Sequence, residues 1–132
     1  MISHVLDTCA LLDLTAERWS SQVARLVLER SERPVLLSVS IWEISRKFRL
    51  KKLSLPCELS GVYEFILKVC QHHQIEILAL DGDLCHRAEL LPPHHEDPFD
   101  RMIIALASKW DAPVFTTDRR FEGYPVGVIR QW

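Results

Sequence analysis

No C-x-x-C pair occurs in this chain. Its four cysteines, Cys9, Cys57, Cys70 and Cys85, stand far apart, which argues against a zinc site and against a disulfide framework. Reduced, mostly buried thiols are expected, and cytosol suits them. A run of about 20 apolar residues is also missing, so no membrane-spanning helix is predicted. The first apolar stretch, Ile2–Leu6, is short and meets Asp7 at once, unlike a secretory leader. Internal repeats, low-complexity tracts and long linkers are absent from the 132 residues. One domain over 1–132 with a sizeable core is therefore expected. Nor does one sign of charge dominate. The formal net charge is −2, so any affinity for nucleic acid has to rest on local clusters.

What is present is an alternation of short apolar runs with amphipathic stretches. Ile2–Leu6 predicts a first strand and Asp7–Leu14 a short helix capped by Asp7. A helix over 17–30 presents Val23, Leu26 and Val27 on one face. Val35–Ser38 predicts a second strand, and Ser40 caps a helix over Ile41–Leu50 with Ile41, Ile44 and Phe48 inward. A helix over 57–72 carries the stripe Leu59, Val62, Ile66 and Val69, weakened by Gly61. Ile75–Leu80 is a third strand and Leu84–Leu91 a helix ended by Pro92-Pro93. Pro98 favours a helix start, giving Phe99–Trp110; Pro113–Thr116 and Gly127–Arg130 complete five strands. Strands separated by helices imply right-handed crossovers and a mostly parallel α/β sheet.

Four acids fall at the ends of these strands or the starts of these helices: Asp7, Glu43, Asp100 and Asp118. Capping explains each singly. Asp7 suits a helix N-cap, Glu43 completes Ser-x-x-Glu with Ser40, Asp100 follows Asp97 by three, and Asp118 suits a turn. Together they suggest more. Ligands of open α/β sheets bind beyond the carboxyl ends of the strands. Asp100 also projects beside the apolar face of Ile103, Ile104 and Ala107, where a charge needs a partner. Two carboxylates about 4 Å apart repel by roughly 4 kcal/mol at an effective dielectric near 20. Mg²⁺ or Mn²⁺ relieves such crowding, suits oxygen ligands and stabilises charge on a phosphate.

Val5-Leu6-Asp7-Thr8, the Ser38–Glu43 segment with Trp42-Glu43, His95-Glu96-Asp97-Pro98-Phe99-Asp100-Arg101-Met102 and Thr116-Thr117-Asp118-Arg119-Arg120-Phe121 together resemble a PIN-domain protein, and more narrowly a VapC-type toxin. The match spans nearly the whole chain, and the Asp-Pro-Phe-Asp-Arg run is its most specific part. The resemblance implies a three-layer α/β/α domain with a five-stranded parallel sheet. It implies an Mg²⁺- or Mn²⁺-dependent endoribonuclease, a homodimer, and inhibition by a small antitoxin. Asp7, Glu43, Asp100 and Asp118 fall on the family's acidic positions and Thr116 on its hydroxyl position. Thr8 would help hold a water or ligand. Asp7 and Asp100 would be the main metal ligands. Glu43 would bind metal or orient water, and Asp118 would act directly or through water; one ion or two remain open.

RNA requires nearby cations. Arg46, Lys47, Arg49, Lys51 and Lys52 lie in or after the Glu43 helix, Arg101 adjoins Asp100, and Arg119 and Arg120 adjoin Asp118. Arg46, Lys47, Arg101, Arg119 and Arg120 are the expected RNA contacts, although Arg101 can equally neutralise an acid. The pair His94-His95 is expected to cap or pack rather than bind metal, with His95 a general base that the reaction does not require. Trp42 and Trp110 are expected in the core rather than as base-stacking platforms. Two rivals remain: a non-catalytic binding module on the same fold, and a phosphatase with Asp7 as nucleophile. The latter usually wants a second acid two residues on, where Cys9 stands.

Overall fold

The computed structural model describes residues 1–132. In it, β1 (His4–Leu6), β2 (Pro34–Leu37), β3 (Glu76–Leu78), β4 (Val114–Phe115) and β5 (Val128–Ile129) form one sheet. The strand order is β3-β2-β1-β4-β5, and every pairing is parallel. Between the strands run α1 (Thr8–Thr15), α2 (Gln22–Arg30), α3 (Val39–Arg49), α4 (Val62–His72), α5 (Gly82–Leu90) and α6 (Pro98–Trp110). No helix is long and apolar enough to cross a membrane.

The pleat explains the layers. Val5 pairs with Val35 and Val114, and all three point to the side where Leu84 and Ala88 of α5 and Ile103, Ile104 and Leu106 of α6 lie. Their neighbours Leu6, Leu36 and Phe115 point the other way, as a period of two demands. There they meet Ala10, Leu11, Trp19, Leu28, Ile44, Ile66 and Cys70 from α1–α4 and their connections. Covered on both faces, the central strands are apolar throughout, as parallel strands must be.

Several local expectations fail for identifiable reasons. The second helix begins at Gln22, not at 17, because Ser21 supplies the cap by accepting Ala24 N–H. The residues before it turn through a left-handed Glu17 and insert Trp19, whose Nε1 donates to Ala10 O at 2.9 Å. Its buried pair is therefore Ala24 and Leu28, while Val23 and Leu26 are exposed. Ser40 does not cap α3; it is buried and shares a 2.9 Å hydrogen bond with Thr8 Oγ1. Residues 59–61 form a 3-10 turn ahead of α4, whose inward stripe is Val62, Ile66 and Cys70 with Leu59 exposed. The thiols are free, but Cys70 alone is buried. Trp42 and Trp110 are exposed rather than core; on α3 the inward face is filled by Ile44, and Trp110 is the last residue of α6.

Candidate metal centre

The sheet order reverses beside β1. From β1 the chain proceeds to β2 and β3 on one side, then crosses back to β4 and β5 on the other. That reversal opens a crevice beyond the carboxyl ends of β1 and β4. Asp7 follows β1 and Thr116 follows β4, with Asp7 N–H bonded to Phe115 O at 3.1 Å. The α3 helix brings Glu43, and the first turn of α6 brings Asp100.

Capping and site-building separate cleanly at α6. Asp97 is the cap, its Oδ1 accepting Phe99 N–H at 2.9 Å and Asp100 N–H at 3.4 Å. Asp100 is left with no capping task. Asp7 does cap α1 through Ala10 N–H at 2.7 Å, and Asp118 accepts Arg120 N–H at 2.9 Å. Glu43 takes part in no capping box. One of its oxygens meets Lys47 Nζ at 2.8 Å; the other, Oε1, is buried without a partner.

The carboxylates disturb one another. Burial pushes the Asp100 carboxyl up to about 8, with further upward pressure from Asp97, Asp7, Glu43 and Asp118. Burial also pushes Asp7 up to about 6; Thr116 and the Ala10 N–H hold it down while Asp118 and Glu43 add to the rise. Burial works upward on Asp118 too, but the Arg120 side chain and backbone N–H, with His95, keep it below the usual carboxylate range. A set of hard oxygen donors with one buried oxygen unmatched and two acids resisting ionisation fits a divalent cation.

His95 belongs to this centre, contrary to the expectation that it merely caps or packs. It is 1% exposed, and Nε2 lies 2.9 Å from Asp100 Oδ2 and 3.2 Å from Asp118 Oδ2. His95 Nε2 and one carboxylate oxygen each of Asp100 and Asp118 lie within 4.8 Å of one another, close enough to share an ion. Tyr124 anchors the loop, its Oη accepting His95 N–H at 2.8 Å and donating to Pro92 O at 2.7 Å. Phe121 packs edge-on to the imidazole at 5.9 Å. Asp100's place beside an apolar stripe was the available signal, since it called for a partner that His95 provides.

Two of the expected supporting groups are engaged elsewhere. Thr8 turns its hydroxyl to Ser40 and not into the crevice. Arg101 is turned to the protein's own backbone. Its guanidinium donates to Ala88 O at 2.7 Å, Leu91 O at 2.8 Å, and Pro92 O and His95 O at 3.0 Å, fastening the α5–α6 connection. Thr116 is fully buried and its Oγ1 accepts Asp118 N–H at 3.0 Å. Arg46, Arg49, Arg119 and Arg120 are exposed, and Lys47 is half-buried over Glu43.

Residues 4–126 match the PIN domain family. The chain is a PIN domain. No curated protein sequence matches it, but solved structures share its fold at low identity. A DNA-bound VapBC complex from Salmonella typhimurium contains a chain of TM-score 0.70 and 18% identity, covering 100% of both chains. VapBC2 from Rickettsia felis, bound to a DNA fragment from its promoter, gives 0.69 and 14% over 98% of each chain. A toxin–antitoxin complex from Klebsiella pneumoniae gives 0.65 and 20% over 98% of each. This PIN domain is thus structurally similar to toxins of toxin–antitoxin complexes.

Proposed function

We propose that this PIN domain is a metal-dependent endoribonuclease and the toxin of a toxin–antitoxin pair. The observation that carries the reading is the crowded carboxylate centre at the sheet's reversal point, with the buried Glu43 Oε1 unmatched and Asp100 pushed up to about 8. A purely structural role gives no reason to bury such a set together. Likeness to toxins found in complexes with antitoxins and DNA supports a small antitoxin as partner. A single unit over residues 1–132, paired as a homodimer in the cytoplasm, completes the reading.

The reaction is hydrolysis of an RNA phosphodiester, in which water adds to phosphorus and one P–O bond breaks. Mg²⁺ or Mn²⁺ supplies Lewis acidity toward the phosphate and favours deprotonated water. Asp7, Glu43 and Asp100 would hold the ion, with Asp118 acting directly or through water. Lys47, 2.8 Å from Glu43, adds positive charge at the crevice. Arg46, Arg119 and Arg120 guide the backbone without reading its sequence. Trp42 is 63% exposed and braced edge-on by Phe99, with ring centroids 5.3 Å apart. Arg46 and Arg49 follow it at helical spacing and are also exposed. An exposed, braced indole with cations along the same face suits a stacked base of single-stranded RNA.

The test is purified protein, freed of any bound partner, incubated with total RNA. Cleavage at discrete sites in Mg²⁺ or Mn²⁺, abolished by chelator and restored by added metal, is expected. Full activity in chelator would contradict a metal mechanism, and intact RNA under all conditions would contradict the nuclease.

A further inference from the structure

His95 turns two different ring nitrogens to two different tasks. Nδ1 faces its own loop, where Asp97 N–H donates to it at 3.2 Å. Nε2 faces the acids: it is hydrogen-bonded to Asp118 Oδ2 at 3.2 Å and lies 2.9 Å from Asp100 Oδ2. The backbone N–H fixes the tautomer. A nitrogen that accepts a hydrogen bond keeps its lone pair, so the ring proton of the neutral imidazole sits on Nε2. His95 is then a donor directed at the carboxylates, with no lone pair on that side to take a proton from water.

The loop leaves this donor one orientation. His95 N–H is held by Tyr124 Oη at 2.8 Å and His95 O by Arg101 Nη1 at 3.0 Å. Both backbone groups and both ring nitrogens are therefore engaged, and Phe121 closes the ring's edge. Asp118 has a second grip in Arg120, but that side chain is 62% exposed, where solvent competes for the pair. The His95 contact is enclosed. Without its N–H, the Asp100 and Asp118 carboxylates would face each other with no hydrogen between them, and their repulsion would turn them apart.

We propose that His95 is a positioning residue for RNA cleavage: its Nε2–H, presented by the 91–97 loop, holds the Asp100 and Asp118 carboxylates in the geometry that the reaction needs. This rests on the nuclease reading and deepens it, since the sequence offers His95 only capping, packing or a dispensable general base. Reactions that depend on placed groups lose rate when a carboxylate shifts by about 1 Å.

Two substitutions separate this role from a loop-building one. The amide nitrogen of Gln reaches the place of Nε2, so His95→Gln keeps a donor for the carboxylates. The amide oxygen of Asn reaches the place of Nδ1, so His95→Asn keeps the Asp97 contact and empties the other. With circular dichroism confirming the fold, His95→Asn should lose about 10–100-fold in kcat with KM little changed, and His95→Gln should recover most of it. Nitrogen NMR of the metal-free chain gives a readout apart from cleavage. The His95 ring, assigned as the signal missing from His95→Gln, should carry its proton on Nε2 and none on Nδ1. A proton on Nδ1, alone or with Nε2, would overturn the proposal whether or not any variant folds. So would wild-type cleavage by a folded His95→Asn chain, or a His95→Gln chain impaired as much as His95→Asn. A wild type that cuts no RNA would remove the nuclease reading and this role with it, whereas an active wild type ties any of the other failures to His95 alone.

Discussion

Asp100 shows how a single residue can be costly to the fold and necessary to the site. Its carboxyl, pushed up to about 8 by burial and by four neighbouring acids, adds full stability below its unfolded pKa near 3.9. That contribution is lost as pH rises through the folded value. Asn at the same position keeps the shape and carries no charge. The metal-free Asp100→Asn variant should therefore gain on the wild type between about pH 5 and pH 8, by roughly 1 kcal/mol or more and a few degrees in Tm. Comparing the two chains cancels every other titrating group. Thermal melts in chelator check it, and a Tm difference that stays constant across that range would contradict the assignment. Mn²⁺ should erase the difference by stabilising the wild type alone. Asp7, Asp100 and Asp118 were legible as candidates because each sits at an element boundary, whereas Glu43, a turn inside α3, was legible because the expected helix start at Ile41 lay two residues before it. His95 was not, because its position depends on how the 91–97 loop folds back against Tyr124.

At the scale of elements, that loop and helix α3 make separate predictions. Arg101 carries four backbone carbonyls of the α5–α6 connection within 3.0 Å. Its removal orphans them together, so Arg101→Ala should cost about 2–4 kcal/mol in urea unfolding. Arg101→Lys should not restore it, because an ammonium cannot span the same fan of acceptors. Wild-type stability in Arg101→Ala would return Arg101 to the list of RNA contacts. On α3, Trp42→Ala should weaken single-stranded RNA binding by about 1–3 kcal/mol, and Trp42→Phe should recover most of it. Binding by fluorescence anisotropy in chelator separates this from cleavage, and unchanged affinity for the alanine variant would remove Trp42 from the RNA path. The helices themselves were legible, but their first turns were not. Ser21 rather than a residue near 17 caps α2, and Ser40 serves Thr8 instead of the α3 start. Packing shifts these starts: ahead of α2, Trp19 inserts with its Nε1 bonded to Ala10 O.

For the whole molecule, the informative fact is the strand order β3-β2-β1-β4-β5. Alternating strands and helices pointed to a parallel sheet, and parallel strands place all their carboxyl ends on one edge. That is why acids more than 100 positions apart in the chain, Asp7 and Asp118, influence each other's protonation. The layering followed from apolar runs such as Val35–Leu37, whereas the outward faces of α2 and α3, with Val23, Leu26 and Trp42 exposed, did not. An amphipathic pattern records which residues are apolar and not which of them the rest of the fold covers. The most direct test of the account compares RNA cleavage by the wild type, Asp7→Asn and Asp100→Asn in Mn²⁺, with circular dichroism confirming that all three are folded. Cleavage by the wild type and a loss of about 100-fold or more in both variants is the predicted result. Folded variants that cut RNA as the wild type does would contradict it.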